Sequence, residues 1–188
     1  DSAAAQRAVL ADPHVPGRME RVVLDDGRDD LPAVVVDYAH TPDAIRAALE
    51  ALRPVTAGTL VCVTGAGGDR DRDKRAAMGR AAALADVVIV TDDNPRSEEP
   101  AAIRAQVLAG ARSVAGAAVA EVAGRRAAIE EALRRAPAGG VVAILGKGHE
   151  RGQILADRVA PFDDVEEAVA AWRRLREEGA RGGSEHDG

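Results

Sequence analysis

Three short stretches of this chain hold the side chains that could do chemistry. They are Gly65-Ala66-Gly67-Gly68-Asp69-Arg70-Asp71, Thr91-Asp92-Asp93-Asn94-Pro95-Arg96 and Gly146-Lys147-Gly148-His149-Glu150. Arginine grips a carboxylate through two parallel hydrogen bonds, and a residue before proline is held extended, so Asn94-Pro95 forms a stiff loop presenting Arg96 in one place. Arg70 and Arg96 opposite Glu150 suit a zwitterionic small molecule, with carboxylates on the arginine side and an ammonium on the glutamate side. Each piece also has an ordinary structural reading. Asp, Asn and Pro ahead of Ser97-Glu98-Glu99-Pro100 start a helix at Ala101, and for that stretch alone the helix-start reading is the stronger. Glycine clusters are more often tight strand-to-helix turns, the charge run Asp69 to Arg75 reads as a solvated helix start, and His40 and His149 read as loop residues capping backbone groups.

Several chemistries drop out. Asp69 and Arg70 follow Gly68, which breaks the dinucleotide fingerprint, and Gly146-Lys147-Gly148 lacks the upstream glycine and following Ser or Thr of a P-loop. The 4 histidines and 1 cysteine show no paired short spacing, so no metal site is expected. Ser2, Ser97, Ser113 and Ser184 lack a base partner, which leaves covalent catalysis unsupported and no catalytic residue expected in this chain.

The elements that must position these loops are parallel strands. Val87-Val88-Ile89-Val90 is short, β-branched and bounded by charge, the pattern of a strand buried on both faces. Further strands are expected at Arg18 to Leu24, closed by an Asp25-Asp26-Gly27 turn, and at Ala33 to Val36, Thr59 to Val63, Ala117 to Val122 and Val141 to Leu145. Gln153 to Val159 reads as an edge strand. Helices are expected from Asp43 to Arg53, with Thr41 as N-cap and Pro42 in the first turn, and through Met78 to Ala85. Others span 100–112, Arg125 to Arg135 and Asp163 to Glu178, the last with Val165, Ala168, Val169 and Trp172 on one face. Strands alternate with helices throughout, which predicts one doubly wound, Rossmann-like α/β domain with a mostly parallel sheet of about six strands flanked by helices. The loops after the third, fourth and sixth strands then leave the carboxyl ends of the strands, where open α/β sheets bind ligands, and converge if those strands are neighbours. Residues 1–17 read as a linker, 18–178 as the domain and 179–188 as a disordered tail.

Composition agrees with a single globular unit of 188 residues and 46% apolar content. With one Phe, one Tyr and one Trp, the core must be built from Ala, Val, Leu and Ile. A net charge of -6 argues against non-specific nucleic-acid binding. Cys62 lies in the apolar run Leu60-Val61-Cys62-Val63 as a small core residue and has no internal partner for a disulfide, which fits a reducing compartment. No signal peptide is found, and no apolar run approaches the ~18 residues of a membrane span, so no membrane insertion is expected. A start at Asp1 without an initiator Met fits a fragment or a processed chain.

Five motifs, in order, carry a family resemblance: Val15-Pro16-Gly17-Arg18-Met19-Glu20, Asp37-Tyr38-Ala39-His40-Thr41-Pro42-Asp43, Gly67-Gly68-Asp69-Arg70-Asp71, Asp93-Asn94-Pro95-Arg96 and Gly146-Lys147-Gly148-His149-Glu150. Together they resemble the carboxy-terminal domain of the Mur ligases, in the branch that adds meso-diaminopimelate, over residues 12–176. The resemblance implies an ATP-dependent amide ligase of cytoplasmic peptidoglycan synthesis, and so of cell-wall biogenesis, cell shape and cell division. In such an enzyme ATP phosphorylates the D-Glu carboxylate of UDP-N-acetylmuramoyl-L-alanyl-D-glutamate, and the amine of the incoming amino acid displaces the phosphate. It also implies roles for individual residues. Arg18 reaches ATP phosphates, Asp37 and His40 contact the nucleotide, and Arg70, Asp93, Asn94, Pro95, Arg96, Gly146 and Glu150 hold diaminopimelate. Diaminopimelate differs from lysine by a second carboxylate, and Arg96 supplies the matching cation. An arginine left unpaired rejects the wrong ligand more strongly than a missing methylene does. The nucleotide-sugar-binding segments and most Mg2+ sites would lie in amino-terminal and central domains that this sequence lacks, so the chain alone is expected to be inactive. Sister readings are the terminal domain of a lysine-adding ligase, a folylpolyglutamate synthetase or a cyanophycin synthetase. A reading of another class is a non-catalytic module that binds a nucleotide or anion.

Overall fold

Valine-rich runs become strands and the alanine-rich stretches between them become helices in the computed structural model, which describes residues 15–24 and 31–183. Strands β1 (Glu20–Val22), β2 (Ala33–Asp37), β3 (Leu60–Thr64), β4 (Val87–Val90), β5 (Ala118–Glu121) and β6 (Val141–Leu145) form one sheet in the order β1-β2-β6-β3-β4-β5. Only β1 runs antiparallel to its neighbour, and all other ladders are parallel. Between the strands lie α1 (Pro42–Leu52), α2 (Asp73–Ala82), α3 (Pro100–Arg112) and α4 (Arg125–Arg135), and α5 (Asp164–Gly183) follows the last strands.

Alternation along the buried strands divides the core in two. Leu60 and Cys62 of β3 face α1, α2 and α3 with Leu49, Met78 and Val107, whereas Val61 and Val63 face α4 and α5 with Ile129 and Ala168. Helices on both faces make the fold doubly wound, as the alternating pattern requires. Thr41 caps α1, its Oγ1 accepting the Ala44 N–H at 3.2 Å, and Pro42 occupies the first helical turn. Helices α2 and α3 meet through glycine: a methyl at Gly79 would overlap the Val107 carbonyl, and one at Gly110 the Ala76 carbonyl. Their backbones are therefore in direct contact.

Four expectations need correction. Residues 153–159 form no edge strand of the main sheet; β7 (Gly152–Ile154) and β8 (Val159–Pro161) pair only with each other, as a separate hairpin. The Asp93–Arg96 turn caps no helix, because α3 begins at Pro100 with Glu99 as its N-cap residue. The charge run from Asp69 is not wholly solvated, since Arg75 is buried. Helix α5 continues through Gly183, into the segment expected to be tail. The Asp25-Asp26-Gly27 turn, residues 1–14 of the expected linker and residues 184–188 lie outside the described residues. No helix among the described residues is long and apolar enough to cross a membrane.

Candidate functional site

Strands β6, β3 and β4 are immediate neighbours, so the loops that leave their carboxyl ends do converge. Between them lies a cleft of about 360 Å³. Arg70, Asp93, Asn94, Arg96, Gly146 and Glu150 line it, together with Tyr38 and His40 from the loop after β2 and Lys74 from the start of α2. Gly146 adopts φ 122°, a conformation that side chains rarely allow, where the chain turns off β6 toward Lys147.

The non-glycine residues with positive φ among the described residues are Met19 (45°), Asp69 (53°) and Arg96 (52°). Each such residue costs about 1–2 kcal/mol and persists only where its surroundings over-determine it. All three stand in loops at this end of the sheet, and each has its N–H held from elsewhere. Asp37 Oδ2 accepts the Met19 N–H at 2.7 Å, Glu98 Oε1 accepts that of Asp69 at 2.6 Å, and the Ile154 carbonyl accepts that of Arg96 at 3.0 Å. Strain is concentrated where the loops are shaped.

The Gly67–Arg70 and Asp93–Glu98 loops are laced together. The Gly68 N–H donates to the Asn94 carbonyl at 2.8 Å, and Arg96 Nη1 returns a bond to the Gly68 carbonyl at 2.8 Å. Pro95 lies outside the cleft lining, with its carbonyl pressed against Gly68. Beneath the loops, buried Arg75 reaches both Glu98 oxygens, at 2.8 and 3.1 Å, and the Gly67 carbonyl at 3.1 Å. Beside the Arg75 guanidinium and the Asp69 N–H, the Glu98 carboxyl is held down to about 2. The remaining nitrogens of the Arg96 guanidinium make no hydrogen bond to the described residues. Arg96 is thus oriented by one nitrogen and open at the others, while exposed Arg70 has one hydrogen bond among the described residues, to the Asp69 carbonyl at 3.2 Å.

In the same cleft, Glu150 Oε2 accepts from Asn94 Nδ2 at 3.0 Å and from Lys147 Nζ at 3.4 Å. Lys147 is fully buried and also donates to Asn94 Oδ1 at 2.8 Å. Deeper still, Arg125 forks onto Asp164 with two bonds of 2.7 Å and donates to the Leu145 carbonyl at 3.1 Å. Its Nη1 has no hydrogen-bond partner among the described residues and faces Asp93 Oδ2 at 3.8 Å. Burial disfavours the Arg125 charge, but Asp164 and Asp93 hold its pKa above the ordinary arginine value. Burial pushes the Asp93 carboxyl up, and Arg125 and Lys147 only partly offset it.

On the β2 side, exposed Arg18 stacks over the Tyr38 ring at 5.1 Å, with His40 at 4.5 Å and His149 at 5.7 Å from the same ring. His40 lines the cleft, and Arg18 lies beyond the lining. Asp37 points away from the cleft, its second oxygen accepting the Ala39 N–H at 2.8 Å. Sequence reasoning missed Arg75, Glu98, Lys147, Arg125 and Asp164. Lys147 had a usable signal in its position between two glycines of a motif; the others sit in helices or turns like any surface charge. No cluster of three His, Cys, Asp or Glu suited to a metal exists among the described residues.

A family model described as the Mur ligase, glutamate ligase domain, matches residues 17–148, well over half of the chain. This chain belongs to that family. Among similar Mur ligase proteins, a UDP-N-acetylmuramoyl-L-alanyl-D-glutamate--2,6-diaminopimelate ligase of Caulobacter vibrioides is 51% identical over 173 residues, covering 91% of this chain and 34% of the relative. A ligase of the same name from Streptomyces avermitilis is 52% identical over 168 residues, covering 87% and 32%. A solved structure bearing that ligase's name superposes with a TM-score of 0.76 at 40% identity, covering 88% of this chain and 33% of that one. The UDP-N-acetylmuramate-alanine ligase of Thermotoga maritima, at 19% identity and TM-score 0.58, covering 87% and 31%, shares the Mur ligase fold. The chain spans about a third of the length of the curated relatives it matches.

Proposed function

We propose that this chain is the part of an ATP-dependent amide ligase that receives meso-diaminopimelate for addition to UDP-N-acetylmuramoyl-L-alanyl-D-glutamate in cytoplasmic peptidoglycan synthesis. The observation that carries this reading is that Arg70 and Arg96 line the same cleft as Glu150. Arg96 takes the distal carboxylate on its free guanidinium edge, and Arg70 adds positive charge at the rim. Glu150, braced by Asn94 and Lys147, takes an ammonium. Gly146 keeps the floor clear, Asp93 lies beneath it, and Pro95 stiffens the turn. Holding the amino acid in one pose supplies the orientation that amide formation needs. Relatives half identical in sequence and named as 2,6-diaminopimelate ligases support the assignment.

ATP supplies, when bound, the phosphoryl group that activates the carboxylate. Arg18 and His40, a cation and an imidazole around the Tyr38 ring, fit phosphate oxygens and a flat base. Asp37 enters as the group that holds Met19, and with it Arg18, in place. The described residues include no cluster suited to a metal, and the Mg2+ that accompanies ATP would be held mainly by the central domain. The partner domains and the nucleotide-sugar substrate lie beyond this chain, which alone is expected to show no ligase activity.

The test is Arg96→Ala in the full-length parent enzyme. Loss of a charge-assisted bond of about 1.5–3 kcal/mol predicts a 10- to 100-fold rise in KM for meso-diaminopimelate, with lysine turnover barely changed. Unaltered diaminopimelate kinetics would refute the role of Arg96.

A further inference from the structure

The β7–β8 hairpin contributes nothing to the main sheet, yet it is bonded three times to the turn that carries Arg96. The Ile154 N–H donates to Asn94 Oδ1 at 2.9 Å, the Ile154 carbonyl accepts the Arg96 N–H at 3.0 Å, and Gln153 Nε2 donates to the Asp93 carbonyl at 2.6 Å. Two of these bonds come from backbone. The third comes from the side chain of half-buried Gln153, which is not part of the cleft lining.

The geometry around Gln153 is specific. Arg96 is left-handed at φ 52°, and relaxation of that angle would swing its guanidinium away from the cleft. The later part of the turn is held by the Gly68 N–H on the Asn94 carbonyl and by the Ile154 carbonyl on the Arg96 N–H. Pro95 cannot donate a hydrogen bond, and the Asp93 side chain is engaged with Arg125 below. At the start of the turn the Asp93 carbonyl is held by Gln153. The same turn carries Asn94, whose Nδ2 orients Glu150 at 3.0 Å. Gln153 therefore holds the start of the turn from which both Arg96 and the Asn94 brace of Glu150 project, alongside the Lys147 and Ile154 contacts to Asn94.

We propose that Gln153 is a positioning residue for amino-acid selection: by pinning the Asp93 carbonyl it keeps Arg96 in register for a second carboxylate and so sets the preference for a dicarboxylic over a monocarboxylic diamino acid. The proposal deepens, and rests on, the reading of the cleft as the diaminopimelate site. Gln153 stands on the small hairpin outside the main sheet, and equal melting temperatures of variants and parent separate a change in preference from a folding defect.

The experiment compares the full-length parent enzyme with Gln153→Ala, Gln153→Glu and Gln153→Lys, using meso-diaminopimelate and lysine as alternative substrates. Gln153→Ala is expected to raise KM for diaminopimelate about tenfold and to lower the diaminopimelate-to-lysine preference by the same factor, with kcat and KM for ATP unchanged. Gln153→Glu, the same size but without the N–H donor, falls at least as far, and Gln153→Lys, which keeps a donor, recovers most of the preference. If Gln153→Ala retains the preference, or if KM for ATP rises in parallel, the proposal is overturned while the cleft assignment stands. If the unsubstituted enzyme shows no preference for diaminopimelate, the cleft assignment itself fails and takes this proposal with it.

Discussion

Arg125→Met would show how much of the fold depends on charge buried behind the cleft. The side chain of Arg125 and that of Asp164 are both 0% exposed and are joined by two bonds of 2.7 Å. Removing the cation leaves the Asp164 carboxylate in an apolar setting without its partner, and breaking a buried pair in this way costs about 3–5 kcal/mol. The Leu145 carbonyl loses its donor as well, and Asp93 loses the positive charge that offsets its burial. Asp163, which caps α5 by accepting the Val165 and Glu166 N–H groups, is untouched, so the helix itself keeps its start. For a chain of this size about 2–4 °C are lost per kcal/mol, which predicts a fall in Tm of about 6–20 °C. The double variant Arg125→Met/Asp164→Leu replaces the pair with apolar groups and is expected to recover most of the loss. Thermal and urea unfolding of the chain, followed by circular dichroism, measures both. A loss below about 1 kcal/mol for the single variant, or a double variant no more stable than the single, would refute the argument.

Two further predictions concern titration. The Glu98 carboxyl is held at about 2 against an ordinary 4.5, so its contribution is complete above pH 4.5 and is lost as pH falls toward 2. Glu98→Gln is expected to be less stable at neutral pH and to lose less stability across that acid window; urea midpoints with equal pH dependence in both proteins would contradict this. Burial pushes the Cys62 thiol from 9.0 up to about 12. A raised thiol pKa means stability that is present below pH 9 and lost between 9 and 12, and a thiol that stays protonated and unreactive in the folded chain at neutral pH. Iodoacetamide should label Cys62 only at the rate of unfolding, and rapid labelling without denaturant would sink the idea.

The strands were legible because burial on both faces forces continuous β-branched runs, and Val87 to Val90 matched to the residue. The convergence of the three loops was legible too, since a parallel sheet sends them all to one edge. Two kinds of feature were hidden. Gln153 to Val159 looked like an edge strand because pairing partners cannot be read from alternation alone, and its bonds go to a loop some 60 residues away. Arg75 and Arg125 looked like surface charges because only the fold brings Glu98 and Asp164 to them, and the Lys147 motif gave no sign that its side chain would be buried. The left-handed backbone of Arg96 had no sequence signal whatever, being held by contacts from another element rather than by its own type.

The glycine contact between α2 and α3 gives the cleft a fixed gauge. One helix follows the loop of Arg70 and the other the loop of Arg96, and between them backbone rests on backbone at Gly79 and Gly110. A joint lined with side chains has slack, because rotamers change and a neighbour fills the gap. A joint without side chains has none. The interval between the two loops is then set by main chain rather than by rotamers, so widening the cleft at that point requires the helices themselves to move apart.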